Sequence, residues 1–398
     1  MTGADTVLGR KAGVGTAVAG MMLIAATYGM ARFGVGLFAP YLSAARPELV
    51  DVLGWAAAAQ FISYSLAAMA AARLVGSRPR TGLVLAGATA TLGCLGVAVA
   101  SDPAVFVVAV LVGGMGGGFA SPALVPVIDA AVAPDARATA QSVANAGTAV
   151  GVIGAGLVMF AATSIAPAWI FMALVCAAAT VATWYPVRAR TCLAASPSAV
   201  PRPPVLGSGT WRALRRPGAA AVVAGAGSSL TWTFGPLLMA RAGSVAPGQV
   251  GWLWIALGLG GFLGALAGIL VERAGRRGAW CLCAAVLALA SGGVGLSAAT
   301  GSPWPAYAGM AAFGAGYMGL SAVLILWARH LLPDNAGAGA SVLFIALAVG
   351  QALGSAGFGT VQELVSPVLL ATLAAGLCAA GGLMALPGKP LPPAGQAG

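Results

Sequence analysis

The sequence predicts an all-α integral membrane protein in which twelve transmembrane helices form two pseudo-symmetric six-helix bundles. Three observations predict it. Of 398 residues, 60% are hydrophobic and 7% charged, with a mean hydropathy of +0.94, whereas a soluble domain carries about 25% charged residues. The apolar residues fall into runs long enough to cross a bilayer, which takes roughly 20 residues of helix. Short motifs of the first half also return in the second at a nearly constant displacement.

The runs follow in order. The first, 12–40, continues well past the roughly 7 to 15 apolar residues of a secretory signal, so it is expected to stay attached as a span. It holds Tyr28 and Arg32, one helical turn apart. Span two, 54–75, carries Gln60 and Tyr64 on one face at i+4. Spans three and four, 81–100 and 104–132, carry no charge except Asp129 near the end of the fourth. Span five, 138–162, is glycine-rich and contains Asn145, and span six is 168–186. The 187–217 stretch carries six arginines, no acid and a Pro201-Arg202-Pro203-Pro204 run, the composition of a flexible linker.

Span seven, 218–240, has the polar and aromatic run Thr231, Trp232, Thr233, Phe234 ahead of Pro236. Span eight, 250–271, places Gly260, Gly264 and Gly268 at i+4 spacing, which allows close helix approach. Spans nine to twelve are 279–299, 306–328, 338–360 with Gln351, and 368–386. The domain organisation is therefore a bundle at 12–186, a linker at 187–217, a bundle at 218–386 and a tail at 387–398.

Cations set the orientation. With twelve spans, 17 of the 20 Lys and Arg fall on the side of the termini, Arg46 and Arg241 on the other, and Arg32 inside a span. That asymmetry places both termini and the linker in the cytoplasm of a cell with the chain in its inner membrane. The excess of basic residues thus concerns the lipid bilayer, and nucleic acid is not an expected partner.

Several chemistries are excluded. The only lysines, Lys11 and Lys389, follow no Gly-x-x-x-x-Gly loop, so the chain has no Walker A phosphate cradle. With His330 as its one histidine it has no metal cluster to offer, and there is no Gly-x-Ser-x-Gly elbow. No enzyme, cofactor or metal is expected. The formal Gly-x-Gly-x-x-Gly at Gly314 to Gly319 lies inside span ten without the strand a dinucleotide fold requires, so it reads as helix packing.

The halves repeat. Pro134-Asp135 and Ser142-Val143 return as Pro333-Asp334 and Ser341-Val342, a displacement of 199, and Phe33-Gly34 returns as Phe234-Gly235, a displacement of 201. Gly76 likewise maps onto Gly275. Parallel six-helix repeats are an architecture of secondary transporters.

With Gly264, Gly268, Glu272, Arg273, Gly275, Arg276 and Arg277, the end of span eight is similar to motif A of the major facilitator superfamily, and the chain resembles that family over essentially its whole length. The first-half counterpart, Arg73, Gly76, Arg78 and Arg80, lacks the acid. Gly147, Gly151, Gly154 and Gly156 loosely match motif C of the family's exporters, with Val152 in place of the usual proline. The span-four arginine of the family is replaced by Gly113 and Gly114, which leaves Arg32 to act as the buried cation.

The resemblance implies one central site between the bundles, reached alternately from either side. A buried unpaired arginine costs about 2.5 to 3.5 kcal/mol on insertion scales, so Arg32 is expected to face protein or a water-filled cavity. The expected substrate-binding set is Arg32, Tyr28, Gln60, Tyr64, Asn145, Trp232, Phe234 and Gln351, with Trp252 and Trp254 adjacent. The expected cytoplasmic gate is Arg73, Asp129, Asp135, Arg137, Glu272, Arg273, Arg276, Arg277 and Asp334, with Arg73 facing Asp334 when that side closes. Function is read as secondary active transport of a small amphiphilic or anionic organic solute by a monomer, export first and uptake of an organic anion second. A coupling proton is a further candidate partner. A non-transporting sensor or a lipid scramblase is the alternative from another class.

Overall fold

In the computed structural model the described residues are 3–75, 78–161, 164–191, 208–333 and 336–386. Gly76, Asp334, the 192–207 part of the linker and the 387–398 tail lie outside them. Among these residues twelve long helices follow one another. Helix α1 comprises Gly3–Ile24, a π-helical stretch Ala25–Arg32 and Gly34–Ala45. The next five are α2 Leu53–Leu74, α3 Pro79–Val99, α4 Pro103–Ala131, α5 Arg137–Ala161 and α6 Ile165–Thr191. Helix α7 runs through Ser208–Thr233 and Gly235–Arg241.

Helix α8 starts as Val250–Gly261, tightens to a 3-10 turn at Phe262–Leu266 and ends in 267–274. Gly275, at φ 69 and ψ 165, breaks it from α9, 276–300. Only glycine adopts that backbone without strain. The set closes with α10 Trp304–Leu331, α11 Ala336–Val361 and α12 Pro367–Leu383.

The sequence reading ends the first span at 40 and gives 187–217 to a linker. Helix α1 instead continues through Pro40 to Ala45, and helix occupies 187–191 and 208–217. At 187–191 and 208–217 basic, polar ends extend the helices past the apolar core, so hydropathy alone places those limits too early.

Small residues decide the packing. A Cβ on Gly147 would lie 2.2 Å from the Met21 carbonyl oxygen, and one on Gly151 2.0 Å from that of Ala25, which joins α5 to α1. In the second half a Cβ on Gly350 would lie 2.0 Å from the Val222 carbonyl oxygen, and one on Gly354 2.3 Å from that of Ala226, which joins α11 to α7. The same crossing is built twice, about 200 residues apart. The other pairs repeat likewise: α3 with α4 and α9 with α10, α2 with α4 and α8 with α10, α3 with α6 and α9 with α12. Gly314 meets the Leu257 carbonyl oxygen of α8 and Gly316 the Cys283 carbonyl oxygen of α9, so the Gly-x-Gly-x-x-Gly stretch serves helix packing.

Leu92 and Val99 on α3, Leu174 and Val181 on α6, Leu289 and Leu296 on α9, and Leu369 and Leu373 on α12 are exposed apolar side chains. They form the outward face a bilayer would cover. Two seams, α2 against α11 and α5 against α8, join the bundles, together with a smaller contact of α1 against α7. Six helices therefore hold the two bundle faces against each other.

Candidate functional site

Because successive helices alternate in direction, the start of α1, the end of α2 and the starts of α5 and α11 share one side, here termed the terminal side. The other is the far side. Close approaches between bundles sit toward the far side. A Cβ on Gly54 of α2 would lie 2.6 Å from the Ser355 carbonyl oxygen and 2.8 Å from Gly359 Cα, both on α11. One on Gly156 of α5 would lie 2.6 Å from the Gly251 carbonyl oxygen of α8. Between α1 and α7, a Cβ on Gly36 would lie 2.1 Å from the Trp232 carbonyl oxygen.

Along these faces burial falls away toward the terminal side. On α11, Ser355, Ala352 and Ala348 are buried but Ser341 is exposed; on α8, Gly251 and Gly258 are buried but Ala265 and Glu272 are exposed. Helix α2 follows the same course from buried Gly54 and Phe61 to exposed Ala72. The close approaches between the bundles thus lie on the far side, and packing between them loosens toward the side of the termini.

Arg32 sits where the seams converge, 2% exposed, at the end of the π-helical stretch of α1. Such a stretch adds a residue to one turn and re-aims the side chains that follow it. Four rings enclose the guanidinium. Its carbon lies 4.6 Å from the Tyr28 ring centre, 4.1 Å from Tyr64, 5.1 Å from Phe33 and 5.1 Å from Phe61. Ring faces are negative, so they stabilise a cation that water no longer solvates. Glycine makes the cage possible: a Cβ on Gly117 of α4 would lie 2.6 Å from Tyr28 Cδ2. Arg32 Nε and Nη1 nonetheless have no hydrogen-bond partner, and no ion pair reaches Arg32 among the described residues.

Beside the cage Arg32, Gln60, Phe61, Ala57, Trp232 and Thr233 line a cavity of about 10 Å³, enough for about one water. The second bundle supplies its opposite wall. Phe33 of α1 and Trp232 of α7 stack with centroids 3.7 Å apart and planes 2° from parallel. Trp232 makes edge contacts with Trp254, Phe313 and Tyr317 at 6.2, 5.2 and 5.3 Å. Gln351 Nε2 donates to Tyr317 Oη at 3.2 Å, whereas Trp232 Nε1 and Trp254 Nε1 find no acceptor. The lining is largely apolar with a few polar groups, among them Arg32, Gln60 and Thr233, the usual make-up of a small-molecule pocket.

The structure brings together Arg32, Tyr28, Gln60, Tyr64 and Trp232 of the expected set, with Gln351 one contact behind Trp232 through Tyr317. Two expected residues stand apart. Asn145 is exposed on the terminal half of α5, accepting from Gln141 Nε2 at 3.3 Å. Phe234 is fully buried beside Gly359 of α11, and Trp232, two residues earlier, faces Phe33 instead. Trp252 is exposed and tilted against Phe160 at 5.1 Å, away from the cage.

Sequence reasoning misses Phe61, Phe313 and Tyr317. Phe61 adjoins Gln60, and Phe313 and Tyr317 flank the glycines of α10, so an aromatic count around these small residues would have pointed to them.

On the terminal side Arg137 Nε lies 3.9 Å from Asp129 Oδ1, both half-exposed, and also donates to the Val132 carbonyl at 3.2 Å. Arg73, Asp135, Glu272, Arg273 and Arg277 are exposed and Arg276 half-buried; none makes an ion pair among the described residues. Asp334, the expected partner of Arg73, lies outside the described residues. The far-side cations are both engaged: Arg241 Nη1 donates to Glu363 at 2.7 Å, and Arg46 Nη1 to the Ala100 carbonyl.

Comparison with known proteins agrees with this architecture. The crystal structure of the nucleoside transporter NupG matches at a TM-score of 0.69 and 11% identity, covering 93% of this chain and 97% of that one. A mutant of NupG matches at 0.68 and 12%, covering 92% and 98%. At such identity the likeness concerns the fold. No curated protein matches. The family profile described as Major Facilitator Superfamily matches residues 21–355. Helices in two repeated bundles and a profile match over most of the chain make this protein a member of the Major Facilitator Superfamily, a secondary transporter of the membrane and not an enzyme.

Proposed function

We propose that the transporter exports a small organic anion, amphiphilic in character, by alternating exposure of the Arg32 site, and that it acts as a monomer with both termini in the cytoplasm. The observation that carries this reading is the guanidinium itself. Arg32 is buried between the bundles with two nitrogens unpaired and no carboxylate beside it among the described residues. A donor set without an acceptor selects a ligand that supplies one, and a carboxylate fits the planar guanidinium best.

Direction follows from charge. All nine acids fall at or beyond helix ends in the sequence, so no membrane-depth carboxylate offers itself to carry a coupling proton. An inside-negative potential drives an anion outward by about 2.3 kcal/mol per charge per 100 mV. Export therefore needs no second ion, while uptake of the same anion, the second reading, would need one. The glycines of α5 that resemble the exporters' motif C favour the same direction. With the termini inside, the close approaches of Gly54 and Gly156 lie on the external side.

Gating is read as the rocking of the two seams, with Asp129, Asp135 and Arg137 on one bundle and Arg73, Glu272, Arg273, Arg276, Arg277 and Asp334 around the closing edge. The test is counterflow of labelled benzoate into proteoliposomes, with Arg32→Gln as the control. Arg32-dependent counterflow supports the reading. Equal benzoate flux through wild type and Arg32→Gln would remove the anion site.

A further inference from the structure

We propose that the Phe33–Trp232 stack is an intercalation slot, so that the anion this transporter takes is a planar aromatic or heteroaromatic acid, its ring between Phe33 and Trp232 and its carboxylate on Arg32. The proposal rests on the reading of Arg32 as an anion site and adds the shape of the anion.

Four observations carry it. The two rings belong to different bundles, Phe33 to α1 and Trp232 to α7, so any movement of the bundles opens or closes the space between them. Their planes lie 2° from parallel with centroids 3.7 Å apart. That is close to a full face-to-face sandwich, the arrangement that ring quadrupoles disfavour relative to offset or edge-on pairs. The pair is therefore held by its surroundings, and a third ring with lower electron density can enter it without losing a preferred contact. An aromatic acid brings such a ring.

Polar groups adjoin this slot. Arg32 is adjacent in sequence to Phe33 and lies 5.1 Å from that ring, with Nε and Nη1 unpaired. Gln60 and Thr233 line the cavity that adjoins both rings. Trp232 Nε1 is a further buried donor without an acceptor. Donors on the edge and aromatic faces above and below describe a flat ligand with an anionic margin. A branched or saturated acid of the same charge would meet Arg32 but would not fit between parallel faces.

Backbone geometry sets the width of the slot. Gly36, one turn after Phe33, brings α1 against the Trp232 carbonyl, so the closed far side and the closed slot are one contact surface. Entry of a ring must spread α1 from α7 on that surface. Binding is thereby linked to opening of the far side, which is the direction in which a loaded exporter moves.

The experiment titrates the purified full-length protein by calorimetry with benzoate, cyclohexanecarboxylate and benzamide, which separate planarity from charge. Benzoate should bind more tightly than cyclohexanecarboxylate by about fivefold or more, from the added ring contacts. Trp232→Leu and Phe33→Leu should each reduce that ratio toward one while leaving an Arg32-dependent affinity for both acids. Thermal melting checks that the variants are folded, and the wild-type ratio is decisive by itself if they are not. Equal affinity of the two acids, lost in Arg32→Gln, would overturn the slot and leave the anion reading standing. Binding of benzamide as tight as that of benzoate would overturn the anion reading and keep the slot. Binding of none of the three would overturn both.

Discussion

Gly36→Ala isolates the contact on which the far-side closure depends. The added Cβ would stand 2.1 Å from the Trp232 carbonyl oxygen and 3.1 Å from its carbonyl carbon, where ordinary contact begins at 3.4 Å. Backbone lies on both sides of the clash, so no side-chain rotation relieves it. The helices must part by about 1.3 Å, the difference between 3.4 and 2.1 Å. Overpacking of this kind costs about 1 to 3 kcal/mol. Opening of the far side removes the clash, so the cost falls on the closed state alone. A bias of that size shifts a two-state equilibrium by roughly 5- to 150-fold.

The assay uses a protein without its native cysteines and with Ala57→Cys, a position buried in the α2–α11 seam. Labelling by an impermeant maleimide from the far side should accelerate in Gly36→Ala by about fivefold or more. Gly314→Ala is the control, since its Cβ would meet the Leu257 carbonyl oxygen at 1.9 Å wholly within the second bundle. It should lower thermal stability without changing the labelling rate. Unaltered labelling in Gly36→Ala, or equal acceleration in both variants, would refute the reasoning.

Arg32→Ala should abolish benzoate counterflow and leave the protein folded, because the ring cage persists; millimolar guanidinium should restore part of the benzoate affinity by refilling it, and a failure to do so in a folded variant would mean the rings do not hold the cation. Arg32→Lys should retain only part of the transport, since a point ammonium does not reproduce the planar fork; full activity would argue against a carboxylate ligand. Reporters fused after Val205 and Gly398 should behave as cytoplasmic and one near Ser302 as external; an external reading at Val205 would overturn the orientation. Charge reversal at Arg73 or Asp334 should impair transport and the double reversal should recover much of it; an exposed pair contributes about 0.2 to 1 kcal/mol, so purely additive defects would remove the pair from the gate.

The fold was legible because bilayer physics acts on composition. Long apolar runs and the confinement of cations to one side count the helices without any tertiary information, and the displacement of Phe33-Gly34 onto Phe234-Gly235 shows the repeat. Arg32 was legible for the same reason, since a buried cation is costly wherever it lies. Helix ends were less so, because the basic stretch at 208–217 is helical while reading as linker. The aromatic surroundings of the site were hardest. Phe61, Phe313 and Tyr317 look like any apolar aromatic in a span, and only helix packing brings Phe61 of α2 to Arg32 and Phe313 and Tyr317 of α10 to Trp232. The π-helical stretch at Ala25–Arg32 hides a further offset, and the repeat that aligns Phe33 with Phe234 points past Trp232, the residue whose ring meets Phe33.

Reciprocal opening of the two sides around the Arg32 site is the central claim, and distance measurement tests it most directly. Electron–electron double resonance would use one spin-label pair at the far ends of α2 and α11, Val52 with Val361, and another at their terminal ends, Ala72 with Ser341. With benzoate bound in wild type, the far-side distance should lengthen and the terminal-side distance shorten in the same molecules, and neither should change in Arg32→Gln. Distances that move together, or that respond equally in Arg32→Gln, would contradict alternating access through this site.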